Sequence, residues 1–412
     1  MRIMMLAQSF APIVGGEERV VEDLSLALSK RGHEVSIATL EQPGGEPALE
    51  LGDVPIHTLR SSSHRLPGVE TDAERRHAPP MPDAETVIGL RRLIREEKPQ
   101  VVHAHNWIVH SYLPLSKRSQ AALVHSNHDY GILCATKRLL RKGVPCTGPG
   151  PLKCVACAGS HYGALRGLIA TAATMAVEPK LRRAVDLFLP ISSTVQRLCR
   201  LDDDSSLVIP DLIAGLPPSP AAEDPRLAQL PNQPYILYFG DVTEDKGAWH
   251  LASVYRSLDD PPPLVMVGRN YLEELRDVPG LHALGPWPHD LAIEALRRSL
   301  FAVVPSLWPE PFGLVALEAA AAGKAVIASD IGGLMDIVVD GQTGLLVAPN
   351  NGPALRQAIN RLVDEDAIRA GMGRAAAERA VLFGPDVVVP RFESAYELAL
   401  ERRRARHAAF RG

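Results

Sequence analysis

The chain has 412 residues, 22% of them charged and 46% hydrophobic, with a formal net charge of −4. This is the composition of a globular protein long enough for two domains, and it lacks the basic balance of a nucleic-acid binder. No run of 18 or more apolar residues marks a membrane-spanning helix, and the N-terminus enters an apolar strand directly, so no secretory signal is expected.

In chain order, short apolar runs at 3–7, 34–39, 101–104, 123–126 and 187–191 predict strands. A second set follows at 235–239, 264–267, 301–305, 325–329 and 345–347. The runs are almost continuously apolar, as strands buried on both faces of a parallel sheet are. Helical periods separate most of them. Residues 17–30 put Val20, Leu24, Ala27 and Leu28 on one face with Gly32 just past the end, and 83–97 is closed by Pro99. Such alternation predicts an α/β protein with helices on both faces of its sheets. The stretch 212–234 carries six prolines, cannot support a core helix, and reads as the crossover between two doubly wound domains. A last helix over 388–407 ends in Arg402, Arg403, Arg404 and Arg406. It reads as a solvated basic face, with contact to an anionic membrane as the alternative.

The segment 305–318, PSLWPEPFGLVALE, sets Glu310 and Glu318 eight positions apart around a tight turn and a helix start. The amides of Phe312, Gly313 and Leu314 would face outward at the positive helix end, a ready anion site. The plainer alternative is a solvated carboxylate pair. Gly15 and Gly16 follow the first strand and open a helix, where a backbone can approach a ligand closely. They are not part of a GxGxxG fingerprint. His103 and His105 end one predicted strand and read as core or crevice-lining residues. His128, with Asp129, ends the next and is the better catalytic candidate. Lys246, in the loop after the strand at 235–239, suits a diphosphate, or else is a surface turn residue.

Eight short motifs occur in order: Gly15-Gly16, RGHEV from Arg31, VVHAHN from Val101, His128-Asp129, Asp245-Lys246-Gly247, PEPFGLVALEA from Pro309, Gly332-Gly333, and DGQTGLLV from Asp340. Together they resemble the retaining nucleotide-sugar glycosyltransferases of the GT-B fold, glycosyltransferase family four, and the resemblance covers nearly the whole chain. It implies two Rossmann-like domains facing across a cleft: an acceptor-side domain at 1–205 with a Cys-rich insertion at 134–157, a donor domain at 206–380, and a C-terminal helix at 381–412 returning to the first domain.

The resemblance also implies roles. His128, Glu310 and Lys246 are the catalytic candidates: Glu310 contacts the donor sugar, His128 lies beside it, and Lys246 neutralises the departing diphosphate. Gly16, Phe312, Gly313, Leu314 and Glu318 bind the donor, Glu318 at the ribose. No metal is needed for transfer, so the run Asp202, Asp203, Asp204 is not a metal motif. The implied activity is transfer of a sugar (EC 2.4, hexosyltransferase type) from a nucleoside diphosphate sugar to a polysaccharide, glycolipid or small-molecule acceptor. The implied location is the cytoplasm, with peripheral contact at the inner membrane face. Two departures stand out. Asp241 occupies the position where the family usually has a diphosphate-binding arginine, and Arg269, after Gly268, is the substitute candidate. Pro210-Asp211-Leu212 stands where Pro-Asn-Gly is usual. Asp241 keeps a non-catalytic sugar-nucleotide-binding homologue as an alternative; a sugar-nucleotide epimerase of the same fold is another.

Four of the five cysteines, Cys134, Cys146, Cys154 and Cys157, cluster in a Gly- and Pro-rich stretch that reads as a loop. A Cys-x2-Cys half-site plus two thiols predicts a structural zinc, with an iron–sulfur cluster or four unliganded thiols as alternatives. The following apolar segment, 162–177, reads as a helix packed on the first domain or as an acceptor-side or membrane-facing patch.

Overall fold

In the computed structural model the described residues are 1–409 except 12, 14, 44–47, 66–74, 221–223, 270–274 and 276–277. They fall into two units. Unit one is Met1–Leu139, Thr147–Leu212 and Pro385–Gly412; unit two is Leu140–Cys146 and Ile213–Gly384.

Unit one begins with β1 (Arg2–Ala7), α1 (Gly16–Lys30), β2 (Glu34–Leu40), β3 (Glu50–Leu51), β4 (Val54–Leu59), α2 (Ala84–Glu97), β5 (Val101–His105), α3 (Val109–Ser116) and β6 (Ala122–Asn127). A hairpin assigned to unit two, β7 (Leu140–Arg141) and β8 (Val144–Pro145), interrupts it. It resumes with α4 (Pro151–Tyr162), α5 (Ala164–Ala184), β9 (Leu187–Pro190) and α6 (Ser193–Leu198). Its sheet runs β3-β4-β2-β1-β5-β6-β9, and every pairing is parallel except β3 with β4. Counting the parallel strands in chain order gives 3-2-1-4-5-6, the doubly wound dinucleotide-fold order.

Unit two continues with β10 (Ile236–Phe239), α7 (Ala248–Tyr255), β11 (Leu264–Val267), β12 (Leu281–Gly285), α8 (His289–Arg298), β13 (Ala302–Val304), α9 (Leu314–Ala321), β14 (Val326–Ser329), α10 (Leu334–Ile337), β15 (Gly344–Val347), α11 (Gly352–Asp364) and α12 (Asp366–Ala380). Its main sheet, β12-β11-β10-β13-β14-β15, is wholly parallel and again ordered 3-2-1-4-5-6. The order reverses between β1 and β5 in unit one, and between β10 and β13 in unit two. Beyond the carboxyl ends of the strands at such a switch point an open sheet makes its ligand crevice.

Besides the two-residue strands β3, β7 and β8, two strands of the parallel sheets escape the apolar-run criterion. In β4, Pro55 is exposed and His57 half-buried, so the run is broken; β12 is an edge strand with His282 exposed. Edge and outer strands bury one face at most and lose the continuous pattern.

The last helix, α13 (Pro385–Ala409), belongs to unit one. It buries Val388, Val389, Phe392, Ala395, Tyr396 and Ala399 in the core built from β1, β2, β5, β6 and α1. The intervals of three and four keep these residues on one face. Burial of Phe392 and Tyr396 contributes about 2 kcal/mol each. RGHEV has a structural use here: Arg31 donates to both Glu393 oxygens, at 2.8 and 2.7 Å, and His33 Nε2 lies 2.8 Å from Oε1.

The solvated reading of the terminal arginines is corrected. Arg403 is buried and donates to the carbonyls of Ser116 and Ser119, Arg406 donates to those of Arg183, Ala184 and Val185, and Arg402 to that of Asp186. The guanidiniums satisfy carbonyls at the ends of α3 and α5, where helices leave acceptors without intrahelical partners. Only Arg404 of the four is exposed.

Candidate functional site

The unit-two crevice is assembled by the turns after β10, β13 and β14. Lys246 comes from the β10 turn and Glu310 from the β13 turn, so they meet across the switch point: Lys246 Nζ lies 2.5 Å from Glu310 Oε1. Glu310 Oε2 accepts from Ser306 Oγ and Trp308 Nε1, both at 3.0 Å. The Lys246 ammonium stands 5.2 Å from the Trp308 ring centroid. Glu310 is thus oriented through both oxygens, and Lys246 carries the crevice's positive charge beside it.

Two glycines allow these turns to close. Gly247, at φ +75°, lies where a Cβ would come within 1.9 Å of the Pro305 carbonyl oxygen; Gly332, at φ +71°, would place one 2.3 Å from that of Glu310. Both demand the absence of a side chain. Gly333 N donates to the Glu310 carbonyl at 2.6 Å, binding the β14 turn to the β13 turn. α9 starts directly after, capped by Gly313, so no cap side chain covers its first-turn N–H groups. Phe312 is buried, and Leu314 is the first helical residue. Glu318, one turn on, is 2% exposed and its Oε1 lies 2.7 Å from His289 Nε2 at the start of α8.

Asp241 and Arg269 follow neighbouring strands and form a two-point pair: Nε to Oδ1 and Nη2 to Oδ2, each 3.1 Å. Both side chains are about half exposed, and ion pairs so placed are weak and exchangeable. A groove of about 820 Å³ between α7 and α11, lined by His250, Ser253, Arg356, Gln357 and Arg361 among others, includes none of the residues named for the crevice.

Unit one builds its crevice by the same logic. Gly16 is the first residue of α1, which follows β1, while His105 ends β5 and Asn106 directly follows it. Glu17, in the first turn of α1, accepts from Asn106 Nδ2 across the switch. The next strand, β6, delivers His128. Its Nε2 is 2.8 Å from His105 Nδ1, and its Nδ1 is 3.2 Å from Asp211 Oδ1. Lys137 Nζ sits 3.6 Å from Asp129, 3.4 Å from Asn106 Oδ1 and 4.3 Å from the Trp107 ring centroid.

These histidines differ in charge. Burial would lower the His128 pKa, but Asp211 first, then Glu17 and Asp129, offset it and raise it to about 9. Burial holds His103 and His105 well below the ordinary value and His125 down to about 4. The Glu17 carboxyl is pushed up by burial, against the pull of His128 and Lys137. The result is one imidazolium among neutral imidazoles. His103 is a core residue, bonded to Tyr396 Oη at 2.9 Å and Ser126 Oγ at 2.8 Å.

Sequence reasoning did not single out Glu17, Asn106, Lys137, Ser306, Trp308 or His289 as site residues. Trp308 lies inside the quoted Glu310 segment, and Asn106 ends the quoted VVHAHN; their positions at strand ends are the signal that finds them. Asp211, noted only as a departure from the usual Pro-Asn-Gly, is the partner of His128.

The cysteine stretch is not a loop throughout: Cys154 and Cys157 lie one turn apart on α4, and Cys154 Sγ accepts from Gly150 N at 3.2 Å. Cys134 Sγ lies 3.3 Å from Thr136 Oγ1. Cys146 falls in unit two and the other three in unit one. Among the described residues, no three His, Cys, Asp or Glu side chains are gathered to hold a metal.

Two Rossmann-like units with this strand order have the architecture of the GT-B fold. The family model for Glycosyltransferase Family 4 matches residues 14–202, and that for Glycosyl transferases group 1 matches 222–379. The chain belongs to this glycosyltransferase family. Among its relatives, glycogen synthase of Mycobacterium tuberculosis is 29% identical, covering 92% of this chain and 90% of that protein. A D-inositol 3-phosphate glycosyltransferase of an Arthrobacter species is 29% identical over 90% and 87%. Sucrose-phosphate synthase from Thermosynechococcus elongatus superposes with TM-score 0.71 at 21% identity, covering 96% of this chain and 98% of that one. Anabaena HepE in complex with UDP-glucose does so with TM-score 0.69 at 18% identity, covering 96% and 99%.

Proposed function

We propose that this chain is a retaining glycosyltransferase that moves a sugar from a nucleoside diphosphate sugar to a polysaccharide, glycolipid or small-molecule acceptor. The observation that carries the reading is the Lys246–Glu310 pair across the β10/β13 switch point, 2.5 Å apart beside the start of α9. HepE, a structural neighbour, is seen with UDP-glucose, which agrees with a sugar-nucleotide donor, and one relative is by name a D-inositol 3-phosphate glycosyltransferase.

In this reading Glu310 fixes the sugar hydroxyls. Lys246 exchanges its carboxylate partner for the departing diphosphate, helped by the first-turn amides of α9. Glu318, steered by His289, takes the ribose hydroxyls, and the α1 start at Gly16 supplies a second close backbone approach. His128, charged, donates to the transferred sugar after exchanging its His105 contact. Arg269 joins the diphosphate by leaving Asp241. The diphosphate itself helps deprotonate the acceptor on the front face, which retains the anomeric configuration. Transfer requires no metal.

A panel of nucleotide sugars ranked by thermal shift identifies the donor, since ligand binding raises stability by mass action. With that donor, slow hydrolysis is expected, and Glu310→Ala or Lys246→Ala is expected to lower it by about 100-fold. Tight donor binding without turnover, even with cell-extract acceptors, would instead make the chain a binding homologue. A changed sugar without acceptor would make it an epimerase. Separately, the Cys-x2-Cys spacing on α4 supports a structural zinc held with Cys134 and Cys146. Metal analysis of purified protein should find one zinc per chain, lost in Cys154→Ser; metal-free protein with four reactive thiols refutes it.

A further inference from the structure

α5 has an unusual division of residues. The face turned into unit one buries Gly167, Thr171, Thr174, Val177 and Leu181. The face turned to solvent carries the larger apolar side chains: Leu165 is 71% exposed, Leu168 49%, Ile169 47% and Met175 46%. Ala172, Ala176 and Pro179 continue the same face. A helix apolar on both sides is ordinarily covered on both sides, and a contiguous outward apolar stripe marks an interaction surface.

The charges on the exposed face have one sign. Arg166, Lys180 and Arg183 are exposed along α5, whereas its one carboxylate, Glu178, is half-buried and paired with Arg182. The chain as a whole is net negative, so this is a local reversal. A row of apolar side chains with cations and no exposed carboxylate complements an anionic lipid surface, with acyl chains taking the leucines and headgroups the guanidiniums. α5 does not span: among the described residues no helix is long and apolar enough to cross a membrane. At 21 residues it measures about 30 Å, enough to lie along a bilayer surface.

We propose that the outward face of α5 is a membrane-docking surface that seats this chain on anionic bilayers. It gives the peripheral membrane contact expected from the sequence a definite location, and it stands without the proposed function because its test uses no donor.

The test is flotation of the full chain with vesicles of phosphatidylcholine alone or mixed with phosphatidylglycerol. The chain is expected to float with the mixed vesicles and to stay behind with the neutral ones. Leu168→Glu with Met175→Glu, at sites exposed in the folded chain, should reduce the floating fraction by about tenfold with an unchanged thermal melt; Arg166→Glu with Arg183→Glu should do the same. Arg404→Glu, on α13, should float as the parent does. The proposal is overturned if the parent fails to float with either composition, or if the α5 variants float equally well. It is also overturned if light scattering shows a dimer that the Leu168 and Met175 changes dissociate, since the face then covers a second copy.

Discussion

At the scale of single residues, the consequential one is Asp211. Its carboxylate lies 3.2 Å from His128 and keeps the imidazole charged up to a pKa of about 9. Replacing it, Asp211→Asn, leaves burial as the dominant influence. The His128 pKa should then fall below its ordinary value of about 6.5. Imidazole nitrogen chemical shifts followed by NMR across pH 5–10 check this; an unmoved titration would show that Asp211 does not govern the charge. Neither the pairing nor its charge was legible beforehand, because residues 83 positions apart in sequence carry no mark of being neighbours. The reach of His128 toward a strand end was legible, since it directly follows an apolar run.

At the scale of elements, two attachments dominate. The turns after β13 and β14 interlock through Gly332, and Gly332→Ala should destabilise unit two by about 2–3 kcal/mol, because a Cβ meets backbone and the φ is left-handed. Urea unfolding followed by Tyr and Trp fluorescence measures it. α13 is held on unit one by an apolar face and by Arg403, buried beside Asp186 at 3.9 Å. Arg403→Ala removes donors from two carbonyls and a cation from a buried carboxylate, so a loss of about 3 kcal/mol is expected by the same measurement. The amphipathic period of α13 could be read from its sequence. The fate of its arginines could not, because a cation near a helix end looks the same whether water or a carbonyl receives it.

At the scale of the whole molecule, unit one is discontinuous: its chain leaves at Leu212 and returns at Pro385. A fragment of residues 1–212 therefore lacks Val388, Phe392, Tyr396 and their neighbours from its core. It should show molten behaviour, with far-UV but little near-UV circular dichroism, and a 385–412 peptide added in trans should restore the near-UV signal. Stability should also be dome-shaped in pH. His128 is raised, so its contribution is complete below about pH 6.5 and is lost as pH rises through about 9. His110 and His125 are lowered, to about 3 and 4. The unfolded chain therefore takes up their protons first, and stability falls as pH drops below about 6.5. Thermal melts across pH 4–10 should peak near neutrality, and the alkaline shoulder should disappear in Asp211→Asn.

The apolar runs, the prolines at 212–234 and the motif around Glu310 and Glu318 were enough to establish two parallel α/β units and where a sugar nucleotide would be sought. These depend on local chemistry: a buried strand must be apolar, a proline cannot donate, and a helix start attracts an anion. Folding in three dimensions decided the partners. It set Lys246 against Glu310 and His289 against Glu318, tied Arg269 to the misfit Asp241, and turned Leu165 and Leu168 of α5 outward. Such pairings follow from strand order and helix rotation, and a linear pattern of residue types records neither.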